Sequence, residues 1–228
     1  MPPRNAVFRS NYCQVLGAAA FVLGLLATSE APAERARVSY GPIPDEIWSY
    51  MQGRSWHAGL PCPQRNELAL LRIPYLDFQG NTQIGSMVVA KSVAPKVAAA
   101  FQEIYDSKQF RIYRMALIDE YQGDDDKSME ANNTSAFNCR KTDRGAMSRH
   151  AFGMAVDINP IQNPYREGNV TSPQAGSAYD QPYKRRSDVV GIIVKGDVVT
   201  RAFARQGWRW GGDWKRTVDY QHFSNDGH

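Results

Sequence analysis

The chain has 228 residues, of which 43% are hydrophobic and 22% are charged, and its formal net charge is +4. This composition excludes a disordered or fibrous protein and is typical of one globular domain with an N-terminal extension. The small positive charge forms no lysine–arginine stripe, so we expect no nucleic-acid partner.

The first 33 residues have the pattern of a secretory signal peptide. Arg4 and Arg9 precede an uncharged apolar run over residues 15–27, and small residues follow at positions 31 and 33, where a signal peptidase would cleave. The run is shorter than a bilayer span requires. We therefore expect a secreted or periplasmic protein without membrane contact, with an uncleaved N-terminal anchor as the alternative.

The cysteines also suit an exported protein. Cys13 lies within the predicted signal segment, so the mature chain keeps only Cys62 and Cys139. An even pair in an oxidising compartment predicts one disulfide bond between them. Two unpaired buried thiols are the alternative.

Residues 34–65 are expected to form an N-terminal arm ahead of a domain over residues 66–228. Residues 45–51 suit a short helix within this arm. Residues 68–78 and 82–90 are rich in strand-forming side chains and flank a turn at Gln79-Gly80-Asn81, which predicts a hairpin. Pro74 places the first of these strands at an edge or a bulge.

Two helices and several shorter elements are expected after the hairpin. Ser92 is a candidate N-cap for a helix that ends near Ser107, and Asp197 is a candidate N-cap for one that ends at Gly207. Strands are predicted at residues 111–121, 152–158 and 220–224, with long loops at 122–145 and 159–187. This mixed order predicts an α+β fold with a small mixed or antiparallel sheet, flanking helices and long loops.

Two histidines and two carboxylates form the set of side chains that a catalytic zinc site needs. His150 precedes Asp157 by seven residues, and Asp219 precedes His222 by three. Three protein ligands with an open fourth position suit catalytic zinc, and a nearby carboxylate suits a general base. We therefore expect His150, Asp157 and His222 to bind Zn²⁺. Asp219 is expected to be the base.

The spacing of these residues suggests how the chain brings them together. A turn at Gly153, where a side chain would obstruct a close backbone approach, lets His150 reach the strand that carries Asp157. Asp219 and His222 would lie on opposite faces of a regular strand, so Asp219 is expected in the loop that enters it. Calcium or manganese is the alternative metal, but two imidazoles favour zinc.

The motif Ser148-x-His150-x-x-Gly153-x-Ala155-x-Asp157, followed by Asp219-x-x-His222-Phe223, resembles the VanY-like peptidoglycan peptidases. This family comprises zinc D-Ala-D-Ala carboxypeptidases and L-Ala-D-Glu peptidases, and its wider superfamily includes the hedgehog signalling domain. The resemblance implies the fold shared by these peptidases and the hedgehog domain, built around a zinc site. It also implies zinc ligation by His150, Asp157 and His222, with Asp219 as catalytic base.

The chain departs from the family pattern in two places. Many D-Ala-D-Ala-cleaving members have Glu at the position of Asp219, and the segment Trp210-Gly211-Gly212-Asp213-Trp214 is more similar to the L-Ala-D-Glu group. The usual segment with a substrate-polarising arginine is also missing. Arg140 is therefore the candidate for stabilising the oxyanion, with Arg114 as the alternative. Ser148 is expected to bind substrate or to orient its loop.

These features together predict an exported, monomeric zinc metallopeptidase associated with the cell wall. Its expected reaction is hydrolysis of an amide bond in the peptidoglycan stem peptide by zinc-activated water, with Asp219 as general base. The scissile bond is that of a D-Ala-D-Ala carboxypeptidase or of an L-Ala-D-Glu endopeptidase. The alternative is a non-catalytic, zinc-containing domain that binds the wall or another partner.

Overall fold

A computed structural model describes residues 36–142 and 144–227 of the chain. The described residues belong to one compact unit that begins at Ala36. The predicted signal peptide lies outside these residues. Within the described ranges, no helix is both long and apolar enough to span a membrane.

The largest sheet is an antiparallel one of three strands in the order β1-β2-β3. These strands are β1 (Ser39–Gly41), β2 (Leu68–Leu76) and β3 (Thr82–Ala90). The predicted hairpin is therefore confirmed. Strand β1 pairs with β2 only as far as Arg72, so Pro74 lies where β2 has an open edge and its missing N–H removes no sheet hydrogen bond.

Four α-helices are present in the described part of the chain. They are α1 (Asp45–Met51), α2 (Ala94–Ser107), α3 (Asp125–Glu130) and α4 (Val198–Arg205). The predicted helix at 45–51 is confirmed, and Asp197 caps α4 by accepting a hydrogen bond from the Thr200 N–H at 2.8 Å. Gly207 follows α4 with a φ of +80°, as expected of a residue that ends a helix.

Some predicted boundaries were wrong. Helix α2 has Val93 at its N-cap instead of Ser92, and its first turn contains a proline, which needs no N–H partner there. Only β4 (Arg114–Met115) is a strand within residues 111–121. The predicted loop at 122–145 contains α3 and β5 (Asn133–Thr134), and β5 pairs in parallel with β4.

Two further three-stranded antiparallel sheets surround the candidate site. One has the order β6-β11-β9, formed by β6 (Ala155–Asp157), β11 (His222–Ser224) and β9 (Arg209–Trp210). The other has the order β10-β7-β8, formed by β10 (Thr217–Asp219), β7 (Tyr165–Glu167) and β8 (Val170–Ser172). The hairpin of β7 and β8 lies in the predicted loop at 159–187. With the four helices, these sheets confirm the α+β class.

Aromatic side chains join the helices to the sheet that carries the site. Phe203 of α4 lies between Phe101 of α2 and Phe223 of β11, with ring centroid distances of 5.6 and 4.5 Å. Trp208 is buried against Phe203. Because Phe223 is the neighbour of His222, this packing fixes the strand that presents the histidine.

The disulfide bond predicted between Cys62 and Cys139 is present, with the two Cα atoms 5.9 Å apart. Both cysteines are buried in a second apolar cluster that also contains Met51 of α1 and Ala151. The disulfide thus ties residues 36–65 to the part of the chain beside His150.

Candidate metal centre

His222 and Asp157 are directly opposite each other in the ladder of β6 and β11. Side chains at opposed positions of an antiparallel pair project from the same face and lie close together. The Asp157 Oδ1 atom is 3.1 Å from the His222 Nδ1 atom. Two of the three predicted ligands are therefore brought together by strand register alone.

His150 reaches the same place through a tight turn. It begins a 3₁₀ turn, His150–Phe152, that ends at Gly153, whose φ is +65°. A Cβ atom on Gly153 would lie only 2.4 Å from the Ala90 backbone nitrogen, and that N–H donates to the Gly153 carbonyl at 3.0 Å. The prediction that a side chain at Gly153 would obstruct a close backbone approach is confirmed. The contact holds the turn against the end of β3.

The hydrogen bonds of His150 define which ring nitrogen faces the site. Its Nδ1 atom is 2.6 Å from the Ala136 carbonyl oxygen, which can only accept, so Nδ1 carries the proton. The Nε2 atom then presents its lone pair, 3.1 Å from Asp157 Oδ2 and 3.3 Å from His222 Nδ1. A carbonyl behind a ligand histidine is the usual way in which proteins orient the ring toward a metal.

The three side chains fit a zinc ion by a simple geometric test. One ligand atom from each of His150, Asp157 and His222 lies within 4.8 Å of the others. Zinc bonds of about 2.0–2.1 Å in a tetrahedron place ligand atoms about 3.3–3.4 Å apart. The His150 Nε2 and His222 Nδ1 atoms are 3.3 Å apart, which is close to that value, and each of them is 3.1 Å from a different carboxylate oxygen of Asp157. Two nitrogens and one carboxylate leave a fourth position open.

The electrostatics of Asp157 suit an anionic ligand. Burial by itself would raise the pKa of this carboxyl group, but the two histidines outweigh that effect and hold the pKa well below its usual value. Asp157 is therefore ionised at neutral pH. An anion that is largely shielded from solvent needs a positive partner, and a divalent cation supplies one.

Asp219 was expected in a loop, but it is the last residue of β10. It stands opposite Tyr165 of β7, in a different sheet from His222. Its Oδ1 atom is buried and has no hydrogen-bond partner within the described ranges. Burial, with a smaller contribution from the negative charge of Asp157, raises the pKa of Asp219 to about 7.

The segment that follows β9 makes room for Asp219 and His222. A Cβ atom on Gly211 would lie 2.6 Å from the Asp219 carbonyl oxygen and 3.3 Å from His222 Cβ. The ring of Trp214 is 5.3 Å from that of His222 between centroids. No role for Gly211 was predicted from the sequence. The run of two glycines between tryptophans was the available signal.

Ser148 acts locally in the described structure. Its hydroxyl accepts a hydrogen bond from the His150 N–H at 3.2 Å, and the residue is buried. This contact supports the expectation that Ser148 orients its loop. The predicted role in binding substrate stays a prediction.

The guanidinium group of Arg140 forms an ion pair with Asp125 of α3. Its carbonyl accepts from the Ser148 N–H at 3.1 Å, which places its backbone beside the turn of His150. Arg114, the alternative, pairs with Glu120. Stabilisation of an oxyanion by either arginine stays a prediction.

Residues 141–225 match the family model described as D-alanyl-D-alanine carboxypeptidase. The predicted family resemblance is confirmed over this segment. The segment contains the three candidate ligands and Asp219, and Arg140 lies just before it. The match supports a peptidase of the class that acts on cell-wall peptides. No curated protein and no solved structure matches the chain.

Proposed function

We propose that the protein is an exported zinc metallopeptidase that hydrolyses an amide bond in the stem peptide of peptidoglycan. One observation carries the proposal: the ligand atoms of His150, Asp157 and His222 converge, and beside them lies the carboxylate of Asp219, whose Oδ1 atom is buried. A purely structural zinc site is usually closed by a fourth ligand and needs no adjacent base. The family match supports the same chemistry.

Zinc held by these three residues would polarise the scissile carbonyl group and lower the pKa of a water molecule at the open position. The protein's own contribution begins with Asp219, which accepts a proton from the attacking water and later delivers it to the leaving amine. Its Oδ1 atom suits this role because no hydrogen bond from the described residues occupies it. Gly211 leaves room for the backbone and the Cβ atom of Asp219.

Arg140 and Ser148 have supporting roles in this proposal. Arg140 stabilises negative charge on the carbonyl oxygen of the substrate, a role in which a fixed cation contributes several kcal/mol in a dry site. Its ion pair with Asp125 restricts the guanidinium group. Ser148 holds the turn that presents His150, and its hydroxyl is the candidate contact to substrate.

The remaining parts of the proposal concern the whole chain. Residues 1–33 are a signal peptide, residues 34–65 an N-terminal arm and residues 66–228 the peptidase domain. The protein acts as a secreted or periplasmic monomer at the cell wall. The disulfide bond between Cys62 and Cys139 supports export, because such bonds persist in oxidising compartments.

Mass spectrometry of purified muropeptides incubated with the zinc-loaded protein tests the proposal. Loss of a terminal D-Ala would identify a carboxypeptidase, which the family description favours. Release of the stem from L-Ala would identify the endopeptidase, which the Asp at position 219 and the Trp210–Trp214 segment favour. In either case a chelator should abolish the product.

Variants of two aspartates complete this experiment. Asp219→Asn should bind zinc but lose about 100-fold or more of the activity, as removal of a general base does. Asp126→Asn, at an exposed position, is the matched control and should stay active. Zinc binding without any hydrolysis by the wild-type protein would instead support the non-catalytic wall-binding domain. Full activity of Asp219→Asn would show that the assigned base is wrong.

A further inference from the structure

A groove of about 590 Å³ lies next to the candidate metal centre. Both residues of the edge strand β9 line it, together with the turn after β9 and one face of α4. The side chains that matter here are Lys195, Arg201, Arg209, Trp210, Asp213 and Trp214. We call this feature the edge groove.

The edge groove and the metal centre share a wall. Trp214 lines the groove, and its ring contacts that of His222 at a centroid distance of 5.3 Å. Arg209 is paired with Ser224 in the sheet, and Ser224 is two residues after His222. Because side chains alternate along a strand, Arg209 lies on the same face of the sheet as His222. Trp210, opposite Phe223, lies on the face that α4 covers, so the groove runs around the open edge of β9 and meets the face of the metal centre at Arg209 and Trp214.

The charges in the groove favour an anion. Three cationic side chains line it, against the single carboxylate of Asp213. Lys195 pairs with Asp213 at 2.8 Å, and Arg201 donates a hydrogen bond to the Gly196 carbonyl just ahead of α4. Arg209 differs from both, because no residue in the described part of the chain accepts a hydrogen bond from its exposed guanidinium group. Its aliphatic stem lies against Gly227.

We propose that the edge groove binds a part of the stem peptide that carries a free carboxylate, and that Arg209 is the residue that holds this carboxylate. A guanidinium group can bind a carboxylate through two parallel hydrogen bonds, which gives direction as well as affinity. The half-buried rings of Trp210 and Trp214 offer apolar surface to the small side chains of the same peptide. Arg209 is thus a specificity-determining residue, and this inference rests on the proposed function.

Steady-state kinetics with matched stem peptides tests the inference. The peptides form a series in which each free carboxylate is converted to an amide in turn, and the zinc-loaded protein is compared with Arg209→Ala, Arg209→Lys and Arg72→Ala. Arg72 is an exposed arginine of β2 and serves as the control. Arg209→Ala should raise KM for the fully acidic peptide about tenfold, with kcat within about twofold. Arg209→Lys should retain part of the affinity.

The decisive comparison is with the amidated peptides. Amidation of one particular carboxylate should raise KM of the wild-type protein by the same factor, and Arg209→Ala should cause no further increase with that peptide. Equal effects of Arg209→Ala on all peptides, or no effect on any, would overturn the inference. A loss confined to kcat would also overturn it, because Arg209 would then act on the reaction centre.

The two proposals fail separately. If the wild-type protein hydrolyses none of the peptides, the proposed function is wrong. Calorimetric titration with the same peptides still tests the groove: weaker binding of the acidic peptide to Arg209→Ala than to Arg72→Ala supports it, and equal binding refutes it.

Discussion

Replacement of Gly153 by alanine should damage both stability and metal binding. The new Cβ atom would lie 2.4 Å from the Ala90 nitrogen and 2.9 Å from the Val89 carbonyl carbon. These are backbone atoms, which cannot swing aside as the end of a side chain can. An alanine at a φ of +65° adds about 1–2 kcal/mol of strain, and the forced displacement adds about 1–3 kcal/mol.

The free energy of unfolding should therefore fall by about 2–5 kcal/mol, measured by urea denaturation in the presence of a chelator. Zinc affinity, measured by competition with a coloured chelator, should fall at least about tenfold because the displaced turn carries His150. Gly168→Ala is the matched control. Its φ is +58° and no heavy atom lies within 4 Å of its added Cβ, so only the strain applies. Equal destabilisation by the two variants would refute the close-approach argument.

Three further predictions concern charge and the disulfide bond. In chelator, protonated Asp219 contributes to stability at low pH, and because its pKa is raised this contribution is lost as pH rises from about 4 through about 7. Relative to Asp219→Asn, the free energy of unfolding of the wild type should fall by up to about 4 kcal/mol across this range, as measured by urea titration. Burial also raises the pKa of Asp119, so the stability of the protein should fall as pH rises through that pKa. The variant Asp119→Asn should flatten the profile of melting temperature against pH. The control Asp126→Asn, at an exposed position, should leave this profile unchanged. Replacing both Cys62 and Cys139 by serine opens a loop of 77 residues and should cost about 4 kcal/mol of unfolding free energy.

The elements that could be predicted from the sequence are those whose signal is local. The hairpin of β2 and β3 alternates strand-forming residues around a short turn, and α4 has its own cap in Asp197. Residues 122–145 were harder because α3 and β5 are too short to show a periodicity. Distant contacts stabilise them: the Asn133 side chain accepts a hydrogen bond from the Ala116 N–H at 2.8 Å. Such a contact leaves no mark on the surrounding sequence.

The candidate ligands could be predicted because their residue types and spacing are unusual, whereas the position of Asp219 could not. Its strand pairs with β7, so its neighbour across the ladder is Tyr165, 54 positions earlier in the chain. The offset of three residues from His222 suggested a loop because a single strand was assumed. In the structure β10 and β11 belong to different sheets, which lets both side chains reach one centre.

This division between two sheets also explains how two carboxylates beside the same histidines acquire different chemistry. Asp157, opposite His222 in the ladder, has both oxygens within 3.1 Å of imidazole nitrogens, and its pKa is lowered. Asp219 enters from the neighbouring sheet, buries Oδ1 without a partner in the described ranges, and has its pKa raised. Because their pKa values are shifted in opposite directions, one of these two neighbouring carboxyl groups suits an anionic ligand and the other can exchange a proton near neutral pH. A hydrogen-bond donor introduced beside Asp219 Oδ1 should therefore lower the pKa of Asp219 and weaken it as a base while leaving the three ligands in place.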